Sequence, residues 1–151
     1  MNAHGHDLRK GRFSEPGRAY LITTVTHQRA PVFTQFQLAR LAIDQLRACD
    51  ALGLYTTLAY VLMPDHLHWL VQLHTSVLPS LVQRYKSCSA TAINETRATP
   101  GTRVWQAGYH DQAVRDGQDT RALARYIVAN PLRAGMVGNV GDYPHWDAAW
   151  L

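Results

Sequence analysis

The sequence predicts an α+β domain in which one antiparallel sheet carries helices on one face. Short runs rich in β-branched and aromatic residues, which favour strands, alternate with longer segments whose apolar residues recur every three or four positions, as in amphipathic helices. The predicted order is strand, helix, strand, strand, helix, strand, and then one additional C-terminal helix. This order is typical of the split βαβ, or ferredoxin-like, arrangement.

The first half of the chain accounts for three strands and one helix. Residues 19–27 are rich in β-branched and aromatic side chains and predict the first strand. Residues 35–52 have the apolar spacing of a helix, and Gly53 is suited to end it. Residues 54–63 and 66–73 are both strand-like, and the turn-forming Pro64 lies between them.

The second half predicts two helices and the fourth strand. Pro79 begins a helix over residues 78–96, and a strand is predicted around residues 112–115. Asp119 or Thr120 can cap a further helix over residues 121–130. Pro131 must end that helix within a residue or two, and the remainder is predicted to be a packed, extended tail.

Length, composition and charge indicate one globular domain. The 151 residues suffice for one hydrophobic core, and contents of 46% hydrophobic and 17% charged residues exclude a disordered chain. No apolar run approaches the ~18 residues of a membrane span, and the N-terminus lacks the apolar stretch of a secretory signal, so we expect a cytoplasmic protein. The net charge of +4 favours a polyanionic partner.

Residues 1–18 are predicted to be a basic arm that precedes a single domain over residues 19–151. The arm contains Arg9, Lys10, Arg12 and Arg18 among Gly and Pro. Such an arm is either a solvated tail or a segment that lies on a phosphate backbone.

His66 and His68 begin the strand predicted over residues 66–73. Because side chains alternate between the faces of a strand, the two imidazoles point the same way and Leu67 points oppositely. Two imidazoles on one face can converge on one cation, and neutral imidazole is the commonest protein ligand of metals. The same pair can also cap a strand edge near solvent, so the motif alone leaves both interpretations open.

Tyr126 and Asn130 are four residues apart in the last predicted helix and therefore share a face. A phenol oxygen on that face could approach the cation while the Asn130 carbonyl oxygen supplies a third ligand. Such a mixed oxygen and nitrogen set suits Mg²⁺ or Mn²⁺ better than structural zinc. Alternatively, Tyr126 packs at the core or its rim, and Asn130 caps the helix before Pro131.

Several segments resemble the signatures of one family. Residues 61–69, Val-Leu-Met-Pro-Asp-His-Leu-His-Trp, resemble the M-P-N/D-H-x-H signature of the HUH single-tyrosine transposases. Residues 105–111 and 126–135 resemble the branch called REP-associated tyrosine transposases, as do residues 9–13 and 17–20. Asp65 stands where the family frequently has Asn, and both residues suit a turn.

The resemblance implies an HUH nuclease core that uses Mg²⁺ or Mn²⁺ on single-stranded DNA with a REP-like hairpin. Carried over residue by residue, His66 and His68 would hold the metal, with Asn130 as the third ligand, and Tyr126 would be the nucleophile. Tyr126 would form a 5′-phosphotyrosine linkage and release a 3′-hydroxyl, so that the same site could rejoin strands in DNA transposition. The resemblance also favours a monomer over a dimer.

Alternatives exist for the nucleophile and for the function. Tyr109 is the competing nucleophile because it lies beside His110, but only Tyr126 has a polar ligand candidate one helical turn away. A non-catalytic binder of structured DNA or RNA could keep the fold, and an unrelated metallohydrolase could use the histidine pair. The candidate phosphate contacts are basic residues spread along the chain: Arg9, Lys10, Arg12, Arg84, Lys86, Arg103, Arg115 and Arg133.

Overall fold

The computed structural model describes residues 14–115 and 117–150 of the chain. Five strands and four α-helices follow one another in these residues. They are β1 (Ala19–Val25), α1 (Phe36–Asp50), β2 (Tyr55–Met63), β3 (His66–Leu73), α2 (Leu78–Arg97), β4 (His110–Ala113), α3 (Thr120–Val128), α4 (Asn130–Arg133) and β5 (Trp146–Ala148). Three candidate phosphate contacts, Arg9, Lys10 and Arg12, and most of the predicted arm lie outside the described residues.

The five strands form one sheet in the order β4-β1-β3-β2-β5, and every neighbouring pair is antiparallel. β1 and β2, which are joined through α1, are separated in the sheet by β3. This insertion of one strand between two others is the split βαβ arrangement, and it confirms the predicted fold class.

The two faces of the sheet build two separate hydrophobic cores. Helices α1 and α2 cover one face, where the buried side chains of β3 are Leu67, Trp69, Val71 and Leu73. Helix α3 covers the opposite face, where Ala124 and Ile127 pack with Val61, Met63 and Leu70. The additional helix is therefore not part of the α1–α2 layer, and it packs mainly on β2, on the opposite face of the sheet.

Two predicted boundaries are wrong by a few residues. The fourth strand spans His110–Ala113 rather than residues 112–115. Helix α3 ends at Val128 rather than Asn130, because Pro131 has no N–H with which to continue the helical ladder, and the chain restarts as the short helix α4. The predicted cap is confirmed at Asp119, whose carboxylate accepts a hydrogen bond from the Arg121 amide at 2.9 Å.

The predicted extended tail contributes the edge strand β5 and is tied to β2. The Tyr143 hydroxyl donates to the Leu62 carbonyl at 2.6 Å, and the Leu62 amide donates to the His145 carbonyl at 2.8 Å. These bonds fix the tail beside the strand that leads into the turn before His66. Within residues 14–115 and 117–150, no helix combines the length and apolar character needed to cross a bilayer.

Candidate active site

His66 and His68 lie at the start of β3, on the face that α3 covers. Their cross-strand partners on β2 are Met63 and Val61, which belong to the core beneath α3. The two imidazole rings are 4.8 Å apart between centroids and stand nearly perpendicular, at 79°. The predicted alternation is confirmed: the two rings share one face, and Leu67 is buried on the other.

A carboxylate orients the first imidazole. The Nδ1 atom of His66 lies 2.7 Å from Oδ1 of Asp65, whose Oδ2 accepts a hydrogen bond from Arg29 at 3.0 Å. A carboxylate only accepts hydrogen bonds, so Nδ1 of His66 carries a proton and Nε2 is the ring nitrogen that remains for a ligand. Burial raises the pKa of Asp65, but the bonds from His66 and Arg29 outweigh it and hold that pKa below its ordinary value. The carboxylate therefore stays charged at neutral pH.

A hydroxyl group contacts the second imidazole. Thr23, directly opposite on β1, places its hydroxyl oxygen 2.9 Å from Nδ1 of His68. Burial, together with the charges of His66 and Arg133, lowers the pKa of His68 to about 4. His68 is therefore neutral at pH 7, which is the protonation state that binds metals.

These donors suit a hydrated cation better than a structural zinc ion. In both rings, Nδ1 contacts a side chain that orients the imidazole. This is the usual arrangement for a metal-binding histidine, and it leaves Nε2 for the metal. Among the residues that the structure describes, no cluster of three or more His, Cys, Asp or Glu side chains could hold a metal ion. His110 lies on the same cross-strand row but beyond β1, about 10 Å from His68 at ordinary strand spacing.

Tyr126 lies on α3 and presents its side chain to solvent. The residue is 61% exposed, whereas the next residue, Ile127, is 2% exposed and anchors the helix on the histidine-bearing face of the sheet. By contrast, the hydroxyl oxygen of Tyr109 is buried. The phenol that a substrate can reach is therefore that of Tyr126 rather than that of its competitor.

Arg133 connects Tyr126 to Asn130. Its Nη1 atom donates to the Tyr126 carbonyl at 2.6 Å, and its Nη2 atom donates to Oδ1 of Asn130. Its guanidinium carbon lies 3.8 Å from the centroid of the Tyr126 ring. Although α3 ends before Asn130, Arg133 thus holds the predicted nucleophile and the predicted third ligand together.

The other candidate phosphate contacts in the described part of the chain belong to other elements of the fold. Arg84 and Lys86 belong to α2, on the far face of the sheet, and the Lys86 ammonium donates to the carbonyls of Gln106 and Gly108. Arg103 and Arg115 are exposed in loops that flank β4. Of the predicted basic residues in the described part of the chain, Arg133 alone contacts Tyr126.

Sequence reasoning did not identify the residues that orient the histidines. The alternation along β1 puts Thr23 on the same face as Leu21 and Val25. Its position opposite His68, however, depends on the register between β1 and β3. The sequence indicates a turn at Asp65, but it does not predict the hydrogen bond between Asp65 and His66. The one local feature that points to this contact is the carboxylate directly before the first histidine.

Fold and site together define the class: an HUH-type domain, with a His-x-His pair on one face of a split βαβ sheet and a tyrosine-bearing helix on that face. The model of the family described as Transposase IS200 like matches residues 17–130. The chain therefore belongs to this transposase family, and transposases cleave and join DNA.

Similar proteins agree with this assignment and confirm the family resemblance. The REP-associated tyrosine transposase of Escherichia coli (strain K12) is 25% identical over 131 residues, which are 85% of this chain and 74% of that protein. A relative from Haemophilus influenzae is 24% identical over 139 residues, covering 85% of this chain and 78% of the relative. The fold also matches a REP-associated tyrosine transposase bound to a REP hairpin, with a TM-score of 0.68, 22% identity, and coverage of 97% of this chain and 82% of that one.

Proposed function

We propose that the chain is a metal-dependent DNA strand-transferase in which Tyr126 attacks a phosphodiester beside a cation held by His66 and His68. The observation that carries this proposal is the placement of α3. Its buried residues pack on the sheet face that bears the two imidazoles, and its exposed side presents Tyr126. Nucleophile and metal ligands therefore belong to the same side of the sheet.

The proposed reaction exchanges one phosphodiester for another. The Tyr126 oxygen forms a bond to phosphorus as the bond between phosphorus and the 3′ oxygen breaks. The phenol loses its proton, and the departing 3′ oxygen gains one. The products are a 5′-phosphotyrosine and a free 3′-hydroxyl, so a hydroxyl that attacks in reverse can rejoin a strand without an external energy source.

The protein's own residues provide orientation and charge for this step. The bond from His66 to Asp65 and the contact of His68 with Thr23 fix both rings before any ligand arrives, which lowers the cost of assembling the site. Asn130 is the proposed third ligand, because a carbonyl oxygen has two lone pairs and the hydrogen bond from Arg133 uses one. When bound, Mg²⁺ or Mn²⁺ supplies Lewis-acid polarisation of the phosphoryl oxygens.

The proposed substrate is single-stranded DNA beside a REP-like hairpin. Two observations support it: the family assignment, and the likeness to a transposase whose structure holds a REP hairpin. The net charge of +4 is compatible with a phosphate-rich partner. We propose that a monomer carries out the reaction.

Covalent capture of DNA tests this function. The protein is incubated with a labelled single-stranded hairpin oligonucleotide and Mn²⁺, and products are separated on a denaturing gel. We expect a protein–DNA adduct that disappears in Tyr126→Phe, His66→Ala and His68→Ala. Tyr109→Phe is the matched control, since it also removes one phenol oxygen, and it should retain the adduct.

The other outcomes identify the alternatives. Tight hairpin binding without cleavage by the wild type would favour a non-catalytic binder. Cleavage without an adduct would favour a metallohydrolase. An adduct that survives Tyr126→Phe but is lost in Tyr109→Phe would contradict the assignment of the nucleophile.

A further inference from the structure

We propose that Arg133 is a catalytic residue that binds the non-bridging oxygens of the phosphate attacked by Tyr126. This inference rests on the proposed function and adds a role to the site: an anion clamp beside the nucleophile. In the described residues Arg133 is the cation that stacks on the Tyr126 ring, at 3.8 Å from guanidinium carbon to ring centroid.

The hydrogen bonds of Arg133 fix its position but leave donors for a ligand. A guanidinium has five N–H groups in a planar fork. One is donated to the Tyr126 carbonyl and one to the Asn130 amide oxygen. Because neither partner is a carboxylate, the positive charge is not neutralised locally, and three N–H groups remain for an anion.

The location of this charge distinguishes Arg133 from an ordinary surface arginine. The residue is exposed, so DNA can reach it, yet three contacts to Tyr126 and Asn130 hold it at the nucleophile. Arg133 therefore holds a positive charge directly beside Tyr126.

A guanidinium at this place suits the charge that develops during the reaction. Attack by the phenol oxygen adds negative charge to the oxygens around phosphorus, and donors aimed at those oxygens stabilise the transition state more than the ground state. A planar fork with two parallel N–H groups matches two phosphate oxygens, which a lysine ammonium cannot do to the same extent.

The test separates chemistry from DNA binding. Single-turnover rate constants for adduct formation are measured at saturating hairpin DNA and Mn²⁺ for the wild type, Arg133→Gln, Arg133→Lys and Arg125→Gln. Arg125 is a matched control, because it is an exposed arginine on α3 beside Tyr126. Dissociation constants and thermal unfolding are measured for the same variants.

We expect Arg133→Gln to lower the rate constant by about 10²- to 10³-fold, as loss of an oxyanion donor does elsewhere, with a much smaller change in DNA affinity and unchanged unfolding. Arg133→Lys should recover part of the rate, and Arg125→Gln should match the wild type. Substrates in which sulfur replaces one non-bridging oxygen provide a second measurement, the rate penalty caused by the sulfur. A purely structural role of Arg133 would leave this penalty unchanged. The rate penalty of one diastereomer should shrink in Arg133→Gln and persist in Arg125→Gln.

Two results would overturn the inference alone: a rate constant for Arg133→Gln within about threefold of the wild type, or an undiminished sulfur penalty in both diastereomers. Failure of the wild type to form any adduct would contradict the proposed function, and the inference with it. The two failures are therefore distinguishable.

Discussion

The Thr23 hydroxyl oxygen lies 2.9 Å from Nδ1 of His68, and the two residues are directly paired between β1 and β3. This contact lets β1 orient an imidazole on its neighbour β3, the central strand of the sheet. The other ring nitrogen of His68 remains for a ligand. Thr23, which takes no part in the proposed reaction, therefore helps to set the geometry of the proposed metal site.

Replacement of Thr23 by Val should weaken metal binding. The substitution keeps the shape of the side chain but removes the partner of His68, and loss of such an orienting contact typically costs about 10- to 100-fold in affinity. Mn²⁺ titration by calorimetry measures the effect. Thr24→Val is the matched control, because Thr24 is buried on the opposite face and its hydroxyl has no hydrogen-bond partner among the described residues. Equal affinities for both variants would contradict the role of Thr23.

Asp65 should tolerate Asn but not Ala. The Asn carbonyl oxygen can still accept the hydrogen bond from Nδ1 of His66, whereas Ala leaves that ring without its partner. We expect adduct formation by Asp65→Asn within about threefold of the wild type and a loss of about 10- to 100-fold for Asp65→Ala. A similar loss in both variants would indicate that the charge of Asp65, rather than its acceptor oxygen, is required.

The packing of α3 can be separated from the chemistry of Tyr126. Ile127 is 2% exposed in the core beneath α3, so Ile127→Ala should lower the free energy of unfolding by about 2–4 kcal/mol. Tyr126→Phe keeps the ring under Arg133 and removes only an exposed hydroxyl, so it should change that free energy by less than about 0.5 kcal/mol. Urea unfolding checks both values, and a large destabilisation by Tyr126→Phe would refute the view that its loss of activity is chemical.

Acid should destabilise the fold through His145. Burial, and then the charge of Arg40, lowers the pKa of His145 below its ordinary value, and the ring lies between Phe36 and Tyr143. Below about pH 6.5 the unfolded chain binds a proton that the folded protein excludes, so stability is full above that pH and declines as the pH falls. The lowered pKa of His68 acts in the same direction.

Urea midpoints at pH 7, 6 and 5 measure this decline. His145→Phe should flatten it without abolishing it, since His68 still contributes. His74→Gln is the control for loss of an exposed imidazole, and it should change the steepness of the decline less than His145→Phe does. A decline of the same steepness in His145→Phe would contradict the assignment.

The local patterns of the chain determined much of the architecture. The alternation along β3 placed His66 and His68 on one face, because that rule needs no knowledge of neighbouring strands. Ile127 and Tyr126 likewise fall on different sides of their helix, because consecutive helical residues point in different directions. The fold class, the element order and the cap at Asp119 followed from signals of the same local kind.

Contacts between distant segments did not follow from the sequence. The pairing of Thr23 with His68 spans 45 residues and depends on strand register. The sequence identifies Arg133 as a basic residue. Its contact with Tyr126, however, depends on the break between α3 and α4 at Pro131. The edge strand β5 was expected only as an extended tail, because three residues provide too short a pattern to predict pairing.

The proposed reaction requires that a cation on the two imidazoles lie near the Tyr126 phenol. Fluorine NMR of protein labelled with 3-fluorotyrosine tests it, with the Tyr126 resonance assigned through Tyr126→Phe. Addition of Mn²⁺ should broaden that resonance strongly, leave the buried Tyr85 on the opposite face less affected, and have no such effect in a His66→Ala/His68→Ala double variant. A sharp Tyr126 resonance while Mn²⁺ occupies the histidine pair would contradict the account.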